Sequence, residues 1–431
     1  MPGALRYLCR VERALSPTRR EWLRLVGTGA ATIAIGCGDN AAGGDAAAAI
    51  FEPTDSGFLV AVWARTAREA TIAIGKGGMV STRKVVLGSG GCGAADITDL
   101  DADAAYDVVV IVDGAQLGPL RVRTAPSDGD ARGVRLAIAA DVDPNPEFES
   151  DLVEHVVAAK PDLLVTIGDF PYTDNGPPAM TLAEYRERHV ETRTFARVRS
   201  LLEAMPVRAI YDDHEFRNNW DTARAAAEPQ RYAAAVQTWD EFFPIRDAVG
   251  DVRYRKFRYG ANVECFLLDC RRFRSQNEAP DVEGKTMLGD TQRRWLFDSL
   301  AASTAPFKLV FTSVPLDFAP PDCWTGYQTE RAKLFDAVVD VPGVLFVSAD
   351  QHYFAAHRHA FGIRELQIGP LCRGLGTFGA EGPGVLFRDK RYNVGIVDIE
   401  RDRLVFTGLG PGGDRFYSES LSPDDLTPRR T

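Results

Sequence analysis

Tyr211-Asp212-Asp213-His214-Glu215-Phe216-Arg217-Asn218-Asn219-Trp220 is the stretch that decides how this chain is read. Eight of its ten residues carry a polar side-chain group, yet it follows directly on Val207-Arg208-Ala209-Ile210, which has the pattern of a short buried strand. In open α/β sheets ligands sit beyond the carboxyl ends of strands, where loops bring acids, imidazoles and amides together without disturbing the core. An isolated Asp-Asp-His-Glu is also a good capping turn, since Asp and Asn favour turns and helix starts. The rest of the chain separates the two readings.

The same arrangement of apolar run followed by acid occurs three more times. Val134 to Ala140 ends at Asp141-Val142-Asp143, Leu163 to Ile167 at Gly168-Asp169-Phe170-Pro171-Tyr172, and Val344 to Val347 leads into Ala349-Asp350-Gln351-His352-Tyr353. One acidic strand end is an ordinary helix cap. Four that also hold His214, His352 and Tyr172 would concentrate unneutralised negative charge unless cations sit among them. Carboxylates select hard cations, imidazole and phenolate add borderline ones such as ferric iron, and ions paired at about 4 Å suit in-line attack on phosphorus.

Around these ends the pattern is strand, loop, helix. Helical spacing is expected over Phe148 to Ala159, Leu182 to Leu202 and Tyr232 to Phe242, with further buried strands at Cys265 to Asp269 and Lys308 to Thr312. Asp290 is expected to cap a helix carrying Trp295 and Leu296, and the carboxyl-terminal part is β-rich again. Residues 50–125 differ: short β-rich runs with Gly and Asp turns argue for a small sandwich, and Ile97 to Tyr106 resembles the tyrosine corner of fibronectin-type modules. Thr124 to Asp130 reads as the linker.

At 431 residues the chain exceeds what one core usually serves, so two domains are expected, one of them large. Hydrophobic residues at 45% and charged ones at 26% exclude disorder, and no apolar run approaches the roughly 18 residues needed to span a bilayer. Residues 1–36 resemble a twin-arginine export signal, with Arg19-Arg20 ahead of a mild apolar stretch. Ala34-Ile35-Gly36-Cys37 then resembles a lipoprotein cleavage box, so acylation of Cys37 stands against plain cleavage nearby. Residues 37–49 read as a small-residue tether. Removing residues 1–36 takes away six basic and two acidic residues, leaving 44 against 58 and a charge of −14. That disfavours nucleic acid and anionic lipid held by bulk electrostatics. Beyond Cys37 five cysteines remain without C-x-x-C spacing, so no zinc ribbon or dense disulfide framework is indicated, with room for one or two disulfides.

With these residues in view, the chain resembles the alkaline phosphatase D (PhoD-like) branch of the metallophosphatase superfamily. The resemblance runs through G-D-x-x-Y (Asp169, Tyr172), D-D-H-E-x-x-N-N-W (Asp212 to Trp220), L-D-x-R-x-x-R (Leu268 to Arg274), L-G-x-x-Q-x-x-W-L (Leu288 to Leu296), S-V-P-L (Ser313 to Leu316), W-x-G-Y (Trp324 to Tyr327) and D-x-H-Y (Asp350 to Tyr353). It implies an α/β fold, a four-layer α/β/β/α metallophosphatase sandwich over residues 133–420 preceded by the small all-β, fibronectin/Ig-like sandwich. It also implies two or three metal ions: calcium, and iron or manganese/magnesium. Asp169 would bridge them, Tyr172 would offer a phenolate, and Asp213, Asn219, Asp350 and His352 would complete the ligand set. His214 would be the catalytic imidazole, and Arg271 would act catalytically by holding phosphate oxygens. Where the family commonly has a cysteine ligand, Asp141 stands, with Asp143 two residues on, and both are candidate metal ligands, so harder ions gain ground against iron. Asn218 and Trp324 are candidates for lining the substrate mouth, although Trp324, like Trp295 and Tyr327, also reads as core packing. His155 and His189 read as surface residues of helices, and His357 and His359 as loop polar groups, with a second metal-binding pair as the alternative.

The function implied is an exported metal-dependent phosphoesterase, an alkaline phosphatase or phosphodiesterase attacking phosphate esters through a metal-bound hydroxide. Small phosphate esters or lipid and cell-wall phosphodiesters would be substrates of a monomer in the periplasm or at the cell surface, lipid-anchored if Cys37 is acylated. The alternative is a surface-tethered binding protein with a decayed phosphatase domain. Decay should strike ligands first, and Asp169, Asp213, His214, Asp350 and His352 are all present.

Overall fold

The computed structural model describes residues 46–430 apart from 146–148, 247–249 and 251. The expected export signal, Cys37, most of the expected tether and the first residue of the expected 148–159 helix lie outside the described residues. Seven strands come first: β1 (Ala46–Phe51), β2 (Phe58–Ala64), β3 (Glu69–Lys76), β4 (Met79–Val86), β5 (Cys92–Ile97), β6 (Ala105–Val112) and β7 (Ala115–Arg123). Strands and helices then alternate through β8 (Val134–Ala139), α1 (Leu152–Ala158), β9 (Leu163–Ile167), α2 (Leu182–Thr194), α3 (Ala196–Ala204), β10 (Val207–Ile210), α4 (Thr222–Ala227) and α5 (Pro229–Phe242). The second half runs β11 (Arg255–Arg258), β12 (Val263–Leu267), α6 (Gly289–Ala302), β13 (Phe307–Phe311), α7 (Gln328–Val338) and β14 (Val344–Ser348). Six strands close it: β15 (Phe354–Arg358), β16 (Arg364–Gln367), β17 (Val385–Asp389), β18 (Val394–Ile399), β19 (Leu404–Leu409) and β20 (Arg415–Leu421).

Side chains alternate across a strand, and here both faces are apolar because both are covered. In the nine-stranded sheet β20-β19-β18-β8-β9-β10-β1-β2-β5, Leu136, Ile138, Val165 and Ile167 turn to one face, and Ala137, Ala139 and Leu164 to the other. The first face packs on Leu309, Phe311 and Val347 of the seven-stranded sheet β11-β12-β13-β14-β16-β15-β17. The second lies under α1, α2, α3 and α5, through Leu152, Tyr185, Leu201 and Trp239. Val310 and Phe346 on the outer face of the seven-stranded sheet meet Leu296 and Leu300 of α6 and Leu334 of α7. These are the four layers, α/β/β/α.

The amino-terminal strands make a sandwich that shares a sheet with this unit. β1 pairs in parallel with β10 at Phe51 and Val207, so β1, β2 and β5 prolong the nine-stranded sheet. Ala46, Ala48, Ile50, Val60 and Val62 pack on Ile72, Val108 and Val110 of the four-stranded sheet β4-β3-β6-β7. The expected tether is therefore corrected at its end, since residues 46–49 form strand. Their alanines look like a linker by composition, yet alternate between two cores. Tyr106 makes the expected corner, its hydroxyl accepting from the Asp101 N–H at 3.0 Å.

Three local expectations change. The single helix over 182–202 is two, broken at extended Phe195, and Thr181 opens the first with a capping box to Glu184. Leu288 stands at the cap of α6 and Asp290 in its first turn. His189 is buried, its ring 4.8 Å from Phe242, beside Arg193, whose guanidinium sits 4.5–5.3 Å from the rings of Phe243, Trp63, Phe242 and Phe170. His155 pairs with Asp151 at the surface. All five described cysteines are free thiols, and no described helix is long and apolar enough to cross a membrane.

Candidate metal centre

The loops after β8, β9, β10 and β14 converge. Asp141, Asp169, Asn219, Asp350 and His352 all adopt left-handed backbone, with φ of 57°, 57°, 54°, 72° and 55°. Asp, Asn and His tolerate this better than other non-glycine residues, and such strain collects at functional sites. Two glycines let the loops approach. A Cβ on Gly168 would lie 2.4 Å from Asp212 Cβ, and one on Gly369 would lie 2.1 Å from Asp141 Oδ2. Glu215 ties two loops together, its buried carboxylate accepting from the N–H groups of Phe170 at 2.8 Å and Asp212 at 3.1 Å.

Ligand atoms of Asp141, Asp169 and His352 lie within 4.8 Å of one another, as do those of Asp169, Asp213 and His214. Asp212, Asp213 and Asp350 form a third group, and Asp322, Cys323 and Asp350 a fourth. Asp169 joins the first two groups, the place expected of a bridging carboxylate. Burial, with neighbouring carboxylates adding to it, holds the Asp141, Asp169 and Asp350 carboxyls well above the usual range. Both Asp141 oxygens and Asp213 Oδ1 are buried without a hydrogen-bond partner. Arg271 is the guanidinium inside the cluster, and it grips Asp212 through two bonds of 2.6 and 2.7 Å and reaches Asp350 at 3.2 Å. Buried carboxylates left orphaned in this way fit cations. The Asn219 side-chain oxygen also faces only acceptors, Asp322 Oδ2 at 2.7 Å and Asp213 Oδ2 at 3.3 Å. A cation between them satisfies that contact, as does the amide turned to donate.

The imidazoles are held by their far nitrogens. His352 Nδ1 meets the Gly374 carbonyl at 2.6 Å, which makes it the protonated nitrogen and leaves Nε2, 2.7 Å from the Tyr172 hydroxyl and 3.8 Å from Asp141, with a lone pair for a ligand. Burial lowers the His352 pKa to about 4. His214 Nδ1 lies 2.6 Å from Asp174, and its backbone N–H donates to Asp169 at 3.2 Å. Burial opposes its charge, but Asp213 and Asp174 prevail and raise it to about 9. Tyr172 lies 4.2 Å from the His214 ring, its phenol pushed well up by burial and by Asp169 and Asp141.

Asp141, Asp169, Asp213, His214, Asp350 and His352 are thus brought together, with Tyr172 and Asn219 against them. Other expectations change. Asp143 lies in none of the four groups, because it pairs instead with Arg373 at 2.9 Å and Asn175 at 2.5 Å. Arg271 is wholly buried and bonds Asp212 and Asp350 through Nε and Nη2, while its Nη1 is buried without a hydrogen-bond partner. Trp324 is core, donating to Thr312 Oγ1 at 2.9 Å. Asn218 is exposed, its N–H donating to Asp174 at 2.7 Å. His357 is buried in β15 rather than in a loop, while His359 does lie in the loop that follows, its side chain enclosed and 2.7 Å from Glu365. Sequence reading missed Asp174, Asp322 and Cys323. Asp174 follows Tyr172 by two residues and had a signal in that spacing; Asp322 and Cys323 precede the W-x-G-Y motif with none.

Two facing sheets under helices, with acids and imidazoles gathered at the strand ends, define a metallophosphatase fold. The chain belongs to the PhoD-like phosphatase family, whose model matches residues 146–368, just over half of its length. It is 27% identical over 247 residues to alkaline phosphatase D of Bacillus subtilis, covering 46% of this chain and 42% of that enzyme. It therefore spans less than half the length of that relative. Among solved structures, that of PhoD matches with a TM-score of 0.78 at 18% identity, covering 88% of this chain and 90% of the other. A purple acid phosphatase from yellow lupin matches with a TM-score of 0.67 at 12% identity, covering 89% and 76%. At these identities the likeness is one of fold.

Proposed function

We propose that this protein is a metal-dependent phosphoric ester hydrolase. The observation that carries the reading is the crowd of buried carboxylates at four strand ends, with oxygens of Asp141 and Asp213 lacking any partner. Asp141, Asp169, His352 and Tyr172 would hold one ion, and Asp169, Asp213, Asn219 and Asp350 another. When bound, the ions supply Lewis acidity to phosphoryl oxygens and acidify water. The chain's own residues do the rest. His352 is fixed in the ligating tautomer by Gly374, while Arg271 sets the angle of Asp212 and steadies Asp350. His214, anchored through Nδ1 by Asp174, offers its other ring nitrogen as proton donor to the leaving oxygen.

The arginine pair Arg19-Arg20 and the mild apolar stretch after it support export, with Cys37 as an acylation candidate, and a periplasmic or surface phosphate ester as substrate. The test is elemental analysis of the purified protein beside its turnover of 4-nitrophenyl phosphate and bis(4-nitrophenyl) phosphate. Bound divalent or ferric ions with ester hydrolysis that a chelator abolishes is expected. A metal-replete preparation inert on both esters contradicts the reading.

A further inference from the structure

Arg271 is wholly buried among the acids, so a cation at the solvent-facing edge of the centre is a separate one. Among the groups around the centre that solvent reaches are His214, His352, Asp174, Asp143 and Arg373, with side-chain exposures of 17%, 19%, 13%, 19% and 25%. Arg373 is the permanent cation of that ring. Its guanidinium lies 4.6 Å over the Tyr172 ring, whose hydroxyl touches His352. Nη1 donates to Asp143 Oδ2 and Nη2 to Asn175 Oδ1, each at 2.9 Å. Asn175 donates in turn to the same Asp143 carboxylate, and Arg188 holds the Asn175 carbonyl at 3.3 Å. A side chain with several rotatable bonds is thereby fixed in one plane at the edge of the centre. Arg373 follows Cys372, whose loop is joined to that of Asp141 by the bridge between Val142 and Cys372, so the guanidinium keeps its place relative to Asp141.

We infer that Arg373 is the substrate-orienting residue of this site, meeting a non-bridging oxygen of the phosphate group, with Asp143 and Asn175 as its positioning residues. A planar guanidinium suits tetrahedral oxyanions because it donates parallel bonds from a fixed fork. Stacking on Tyr172 and pairing with Asp143 mean that little side-chain freedom is lost when the anion arrives. Asp143, read from sequence as a ligand, would then serve the substrate rather than a metal.

This inference rests on the phosphoesterase reading, and the experiment keeps the two apart. Metal-loaded wild type, Arg373→Ala, Arg373→Lys and Arg373→Gln are compared for KM and kcat on 4-nitrophenyl phosphate, for inhibition by inorganic phosphate, and for metal content. In Arg373→Ala, KM and the phosphate inhibition constant should rise about tenfold or more, the scale of one charge-assisted hydrogen bond, with metal content unchanged and kcat less affected. Arg373→Lys should recover part of the loss. If Arg373→Ala loses metal or melts early, Arg373→Gln, which retains an amide donor toward Asp143, gives the same comparison. Wild-type values of both constants in a metal-replete Ala or Gln variant overturn the inference. If the wild type hydrolyses no ester, calorimetric binding of inorganic phosphate to wild type and Arg373→Gln still decides it: equal affinity overturns the role of Arg373, and weaker binding to the variant upholds it.

Discussion

At the scale of single residues, the centre is a problem of charge that only some side chains solve for themselves. Asp212 has Arg271 and Ser313, whereas Asp141 has no hydrogen-bond partner on either oxygen and Asp169 accepts from the His214 N–H. Asp169→Asn should therefore empty the centre, because an amide withdraws charge from both groups that share the residue. Elemental analysis checks this, and wild-type metal content in the purified variant would sink the shared-ligand reading. His214→Ala should act differently. The ions stay, since Asp169 and Asp213 remain, while turnover of esters with poor leaving groups falls by roughly a hundredfold or more. The loss should shrink for 4-nitrophenyl esters, whose leaving oxygen needs no proton. Equal losses on both would remove His214 as the donor. Acids and imidazoles at strand ends were legible in the sequence because polar residues there stand out against apolar runs. Of the neighbours that tune them, Asp174 left a trace two residues after Tyr172, whereas Arg373 reaches the site by folding rather than by spacing.

At the scale of elements, the site exists because four strand ends are held at fixed distances. Glu215 shows how. In the sequence it sits inside Asp-Asp-His-Glu and reads as chemistry; in the fold it is a wholly enclosed pin between the loops after β9 and β10. Glu215→Ala leaves two buried N–H groups without acceptors, at about 1–3 kcal/mol each. The midpoint of thermal unfolding of the metal-free protein should fall by several degrees, and metal affinity should fall with it, as Asp169 and Asp213 lose their common anchor. Glu215→Gln, which keeps one oxygen acceptor, should restore part of both. An unchanged midpoint in Glu215→Ala would show that the loops are held by other contacts, such as the Thr173 N–H on the His214 carbonyl. The strands themselves were legible where apolar runs of four to seven residues end abruptly, as at Val134 and Leu163. The break in the 182–202 helix was not, because nothing in the local pattern marks Phe195 as extended.

At the scale of the whole molecule, the amino-terminal strands are built into the sheet that carries the site. Composition could indicate a sandwich over residues 50–125 but not that its β1 would pair with β10, since a parallel pairing between distant segments leaves no periodic trace in either. Glu52 marks the join. It follows β1 with φ 49°, and its buried carboxylate takes Arg208 of β10 and Arg255 of β11, each at 2.6 Å. One acid thus links the amino-terminal strands to both central sheets. Burial alone would raise its pKa, but the two guanidinium groups outweigh burial and hold it below its ordinary 4.5. A carboxylate with a depressed folded-state pKa adds stability that is fully present above the unfolded value and lost as pH falls through the folded one. Glu52→Gln should accordingly cost about 3–5 kcal/mol near neutrality, the scale for breaking one side of a buried ion pair. That gap should begin to narrow as pH drops below 4.5, where the unfolded chain takes up the proton, and close as pH falls through the lower folded-state value, where the two native proteins become alike in charge. Denaturant unfolding of both proteins from neutral pH down to the acid limit of the native state measures it. A gap that stays constant over that range would mean that Glu52 holds the sheets by shape and hydrogen bonding, with its charge contributing nothing to the join.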